Sequence, residues 1–158
     1  MSKIDGRYYN VRNTKNKEKA ADTLAIINQR LTKLIDYLSD NVNSEFAQPI
    51  KLMRIRYRSS NIAENLEDAD TSFTINKKHV SFCLKTRDDK EDVYDINTLT
   101  FVALHELAHI ASVSEGHNEE FSRNFQFLKE TAIKIKIYQE IDYNAHPVEY
   151  CGMTINVM

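Results

Sequence analysis

The chain has 158 residues, 42% of them apolar and 28% charged, which suits one globular domain with a sizeable core and leaves little room for a second. A net charge of −2 excludes a global attraction to nucleic acid or acidic membranes, and three glycines with two prolines argue against a Gly-rich phosphate loop. The N-terminus MSKIDGRYYNVRN lacks the apolar segment of a secretory signal, and no apolar run approaches the roughly 18 residues that span a bilayer.

Residues 1–16 are polar, with a short extended piece at Arg7–Arg12 that could add a strand. From Lys17 to Leu38 the apolar positions Leu24, Ile27, Leu31, Leu34, Ile35 and Leu38 recur at helical spacing. Lys15, Lys17 and Lys19 stand at the unfavourable end of that helix's dipole, so packing must hold it. In PIKLMRIRYRSS, Met53, Ile55 and Tyr57 alternate with Arg54, Arg56 and Arg58, which predicts a half-buried strand. SSNIAENLEDADT reads as a polar loop. TSFTINKKHVSFCLKT then reads as two strands around Asn76–His79, a hairpin without the usual Asn-Gly or Asp-Gly turn. RDDKEDVYD is a solvated loop.

A helix begins near Asp95 or Asn97, either of which can cap it, and is expected to end at Ser114–Gly116. Another starts around Asn118, with Phe121, Phe125, Leu128, Ala132 and Ile135 as its buried stripe. IKIKIY alternates too, so the end of this helix has a strand reading as well. The tail YNAHPVEYCGMTINVM looks extended. The order helix, small mostly antiparallel sheet, helix, helix is an α+β arrangement in a single domain covering residues 1–158.

The stretch HELAHIASVSEGH, 105 to 117, carries the chemistry. On a helix His105 and His109 lie about 40° apart, with Glu106 next to them, while nearly every other position from Leu99 to Val113 is apolar. Imidazoles and a carboxylate buried in such a helix need a compensating group, and a metal ion supplies one. His-Glu-x-x-His on a helix is the zinc-protease signature, with the histidines as ligands and Glu106 as general base. A catalytic zinc takes a third protein ligand and keeps a position open. The candidates are His117, which Gly116 lets swing back toward the helix, and Glu130 on the following helix; His117 is preferred.

HELAH followed by EGHNEEF resembles the SprT and WLM group of small zinc metalloproteases, whose core is His-Glu-x-x-His, a short turn, then His-x-x-x-Phe: here His105, Glu106, His109, His117 and Phe121. TSFTINKKHVSFCLK and PVEYCGM also resemble a compact WLM-related protein encoded by large DNA viruses. The resemblance implies a zincin fold, one Zn2+ per chain, endopeptidase activity, and a β-strand edge that receives extended substrate, for which Thr71, Ser72, Phe73, Thr74 and Ile75 are candidates. Relatives in the group are linked to cleavage of proteins crosslinked to DNA. The chain has no recognisable DNA-binding tail or adaptor-recruiting motif of that kind.

Weaker signals each have a plain counterpart. Arg54, Arg56 and Arg58, with Lys77, Lys78, Lys85 and Arg87, could form a basic face for nucleic-acid phosphates or a solvated sheet face. His79 and His146 lack ligand spacing and read as surface residues. Tyr143 or Tyr150 could donate to a developing oxyanion, or pack in the core. Cys83 and Cys151 are expected as reduced thiols in a cytoplasmic or other reducing compartment, with virion association an option; Cys151 reads as a buried inert thiol rather than a zinc cap. Against the peptidase stand two rivals: an inactive zinc-binding structural or virion protein, and a nucleic-acid-associated protein of the same fold.

Overall fold

The computed structural model describes residues 1–65, 72–86, 92–143, 145–151 and 153–155. Their elements run α1 (Lys17–Asp40), α2 (Ala47–Arg56), β1 (Ile62–Glu64), β2 (Phe73–Ile75), β3 (His79–Phe82), α3 (Ile96–Ala111), α4 (Glu119–Lys134), β4 (Val148–Tyr150) and β5 (Met153–Ile155), the α+β architecture expected. The apolar stripe of α1 is buried as its spacing predicts. Helix α3 sits at the centre, against α1, α2, α4 and β2, and is buried on almost every face from Thr98 to Ala111. Its N-terminus is capped by Asp95, whose carboxylate accepts from Thr98 N at 2.9 Å and Thr98 Oγ1 at 2.7 Å. Helix α4 starts beyond its cap Asn118 and buries Phe121, Phe125, Leu128 and Ala132. It gives way at Ile135 rather than continuing as a strand through IKIKIY, with Lys136 at φ 65 turning the chain.

Residues 53–57 correct the strand expected there. They belong to α2 and its end, with Ile50, Met53 and Tyr57 buried at helical spacing, Ile55 58% exposed, and Pro49 in the first turn, where a helix tolerates it. The alternation of apolar and arginine residues was a coincidence of a short window. Arg54, Arg56 and Arg58 therefore share no strand face. The segment read as a polar loop supplies β1 instead, parallel to β3, with Ile62 opposite Val80.

The sheet order is β1-β3-β2, so the sheet is mixed, and the expected hairpin is its antiparallel part, with Thr74 opposite Val80. Its turn is closed by Lys78 N to Ile75 O at 3.1 Å, with Asn76 at φ 53 and Lys77 at φ 54. Asn and Lys thus adopt the left-handed pair of angles that Asn-Gly adopts more cheaply. The N-terminal extended piece contributes one parallel bridge, Asn10 to Ala63. Beneath it Lys85, read as part of a basic face, lies 3.3 Å from Glu64 with both side chains 1% exposed, and its ammonium donates to Thr14 Oγ1 at 2.8 Å.

The tail forms the antiparallel pair β4–β5. Cys83 and Cys151 are joined in a disulfide across 68 positions, where two reduced thiols were expected. Tyr150 docks beside it: its hydroxyl donates to Cys83 O at 2.6 Å and lies 2.5 Å from Ser72 Oγ. Among the described residues no helix is long and apolar enough to cross a membrane.

Candidate metal centre

Helix α3 ends at Ala111, earlier than expected, with Ser112 already extended. Two cations from other elements occupy the carbonyls left open there. Arg56 of α2 donates to Ile110 O at 2.8 Å and Ser112 O at 3.1 Å; Lys77 of the hairpin turn donates to His109 O at 3.1 Å and Ser114 O at 2.7 Å. Positive charge at a helix C-terminus also suits its dipole. Gly116 does adopt a left-handed φ of 83, but within the loop rather than at the helix end. Glu120, in the first turn of α4, accepts from Val113 N at 2.8 Å, Ser114 N at 2.9 Å and the Ser114 hydroxyl. Asn118 donates to Ser114 Oγ at 2.6 Å and accepts from Phe121 N at 3.0 Å. These bonds fold the loop onto α4 and return His117 to α3.

The result is a convergence of three imidazoles. One ring nitrogen each from His105, His109 and His117 lies within 4.8 Å of the others, and His109 Nε2 is 3.2 Å from His117 Nε2. Two nitrogens on one tetrahedral zinc stand roughly 3.3 Å apart, given Zn–N bonds of about 2.0–2.1 Å. The ring of Phe121 packs on all three, with centroids 5.0, 4.5 and 4.8 Å away. His109 has its pKa pushed down to about 4, foremost by burial and then by the neighbouring His105, His117 and Lys77, so its ring is neutral at neutral pH and able to ligate. His105 Nδ1 is buried and makes no well-formed hydrogen bond, with Glu106 Oε1 3.5 Å away. The residues present therefore fit a metal: three imidazole donors converge in the polar notch of a buried helix, and burial holds the pKa of His109 low.

Glu106 is 5% exposed. Burial pushes its carboxyl up, but the adjoining His105 ring, the Thr74 hydroxyl and His109 hold it below the ordinary carboxylate value, so it is an anion at neutral pH. Thr74 Oγ1 donates to Glu106 Oε2 at 2.6 Å, while Oε1 lies 3.5 Å from His105 Nδ1. Thr74 is the middle residue of β2, the edge of the sheet, and its neighbours Phe73 and Ile75 are 39% and 46% exposed.

The remaining predicted residues fall elsewhere. Glu130 is exposed on α4, accepting from Gln126 at 2.9 Å, and is not grouped with the imidazoles. Tyr143 packs its ring on Phe101, 4.8 Å between centroids, one turn before His105; Tyr150 has its hydroxyl engaged by Ser72 and Cys83. Ser72 itself is buried, accepting from Cys83 N at 2.8 Å, and Thr71 lies outside the described residues, as does Arg87. His79 and His146 are exposed. Sequence reasoning missed the parts played by Thr74, Lys77, Arg56 and Glu120. Thr74 was named only as a substrate-edge residue and Arg56 and Lys77 only within a basic face; Glu120 carries the general signal of an acidic residue in a first helical turn.

Three viral proteins are similar to the chain. An uncharacterized protein of Acanthamoeba polyphaga mimivirus is 41% identical over 159 aligned positions, 98% of this chain and 80% of its own length. The chain belongs to the family of that mimivirus protein. Uncharacterized proteins of Invertebrate iridescent virus 6 and Invertebrate iridescent virus 3 are 38% and 43% identical over 48% and 46% of the chain, covering 43% and 46% of their own lengths. No protein-family model matches the chain. No solved structure matches it.

Proposed function

We propose that this chain is a zinc metallopeptidase of the SprT/WLM type, hydrolysing peptide bonds in protein substrates, with His105, His109 and His117 holding one Zn2+ and Glu106 as general base. One observation carries the reading: three converging imidazoles and a charged carboxylate share one notch of a buried helix. Purely structural zinc sites have four protein ligands, and among the described residues no fourth Cys, Asp, Glu or His is grouped with these three, which favours a site with an open position. Bound there, zinc lowers the pKa of water toward about 7 and polarises a carbonyl oxygen. Glu106 accepts the proton of the water that attacks the peptide carbon and passes it to the departing amine nitrogen. The Thr74 bond occupies Oε2, which leaves Oε1 for the proton. An extended peptide added to the edge of β2 would run past Thr74, and so past Glu106.

Glu106→Gln tests the reading. The amide keeps size and hydrogen bonding but accepts no proton, so the variant should hold its zinc and fold while cleavage of casein or a peptide falls about 10²–10⁴-fold. Retained cleavage by the zinc-loaded variant would remove Glu106 from the mechanism. Absence of cleavage by the wild-type chain on every substrate, with zinc bound, would favour a structural role.

A further inference from the structure

A cavity of about 300 Å3 opens between α1, α2 and the N-terminal segment, and none of its described lining residues belongs to α3 or α4. Its walls carry Arg7, Arg54 and Arg58 against a single carboxylate, Asp36, an excess of two positive charges in a chain whose net charge is −2. Arg54 lies in the last turn of α2 and Arg58 in the extended segment just beyond it, so both line the same wall. Two of the three guanidinium groups are held by neutral acceptors. Arg58 Nη1 donates to Arg54 O at 3.0 Å and Tyr57 O at 2.8 Å, and Arg7 Nη1 donates to Ser59 Oγ at 2.7 Å. The nearest carboxylate to Arg7 is Asp5, 3.8 Å from Nε in a pair where Arg7 is 59% exposed, which offsets little of its charge. Arg54's side chain has no hydrogen bond or ion pair among the described residues. At the inner end of the cavity Asn28 is 7% exposed, its amide oxygen fixed by the Tyr57 hydroxyl at 2.7 Å.

We infer that this cavity binds a phosphoryl group, free or carried by a small molecule. Three arginines line one cavity, and guanidinium groups are the donors that match phosphate oxygens, in pairs and at short range. The excess of two positive charges matches a phosphate of charge about −1.5 to −2. The volume stands at the lower end of small-molecule sites, which run from about 300 to 1,000 Å3. The site is independent of the metal centre and of its chemistry.

Titration calorimetry of the full chain with inorganic phosphate, adenosine monophosphate and succinate tests the inference. Both phosphate probes should bind saturably with Kd below about 1 mM at physiological ionic strength. A tighter Kd for the nucleotide assigns the site to an organic phosphate, and equal values assign it to the phosphoryl group alone. Arg54→Gln combined with Arg58→Gln, both exposed positions whose fold circular dichroism checks, should weaken phosphate binding about tenfold or more. Arg7→Gln, in the N-terminal segment, is the second variant and should weaken it in the same direction. Failure to saturate, unchanged affinity in these variants, or succinate binding as tightly as phosphate overturns the inference.

Discussion

Glu106 and Thr74 stand 32 positions apart, yet their 2.6 Å bond sets the orientation of the one carboxylate in the notch. His117 is the opposite case: exposed, on a loop, and brought to His109 at 3.2 Å by bonds that Glu120 and Asn118 make to residues 113, 114 and 121. Residue by residue, then, the site is a rigid pair on α3 completed by a tethered loop. His105→Ala and His109→Ala should abolish tight zinc binding, and His117→Ala should weaken it far more than Glu130→Ala, whose carboxylate bonds only Gln126 among described partners. Competition against a chromogenic chelator measures all four. Zinc lost from the Glu130 variant and kept by the His117 variant would move the third ligand to α4. The histidines were legible because their spacing is local; Thr74 was not, since a hydroxyl on a strand says nothing about which carboxylate it will meet.

At the scale of elements, α2 and the β2–β3 turn act on α3 through its C-terminus. Arg56 gives up its place in a basic face to bond two terminal carbonyls, and Lys77 does the same at a left-handed turn position. Arg56→Ala leaves those carbonyls to water in a half-buried setting and should lower stability by about 1–2 kcal/mol, read from urea denaturation. A loss below about 0.3 kcal/mol would mean water replaces the guanidinium without cost. The edge of β2 carries a separate expectation. A proline placed on β2 where the N–H points away from β3 should slow peptide cleavage and leave zinc content unchanged, because it removes a donor to an added strand. Equal rates in such a folded variant would rule out edge pairing.

Across the whole molecule, the Cys83–Cys151 disulfide binds the last hairpin to the end of β3, and Tyr150 seals the junction from inside. The link closes a loop of 68 residues in the unfolded chain, for which chain-entropy reasoning gives about 4 kcal/mol, the upper end of what disulfides typically contribute. Cys151→Ser, or strong reductant, should therefore lower the melting temperature, and a thiol reagent should find no free cysteine in the untreated native protein. Two reactive thiols and no response to reductant would restore the reduced pair that composition suggests. The N-terminal segment is fixed by a different device, the buried Glu64–Lys85 pair, whose carboxylate also accepts from Arg12 N at 2.8 Å. Removing one partner alone leaves a buried charge uncompensated, which is the costlier way to break such a pair.

What the sequence determined by itself was whatever depends on neighbours within a turn or two: helix α1 from its apolar spacing, the start of α3 near Asp95 or Asn97, the start of α4 around Asn118, the hairpin parity of Val80 and Phe82, and the pairing of His105 with His109. Helical and strand periods are local properties, and a buried helix with one polar notch advertises that notch. A window of five alternating residues was too short to tell strand from helix at 53–57, where burial of Ile50, Met53 and Tyr57 against the core decided the outcome. Only the tertiary structure decided which cations were spent on helix ends, which lysine was buried, whether two distant cysteines met, and which hydroxyl faced Glu106. Each of these is a contact between residues brought together by packing, and a linear pattern holds no record of the partner.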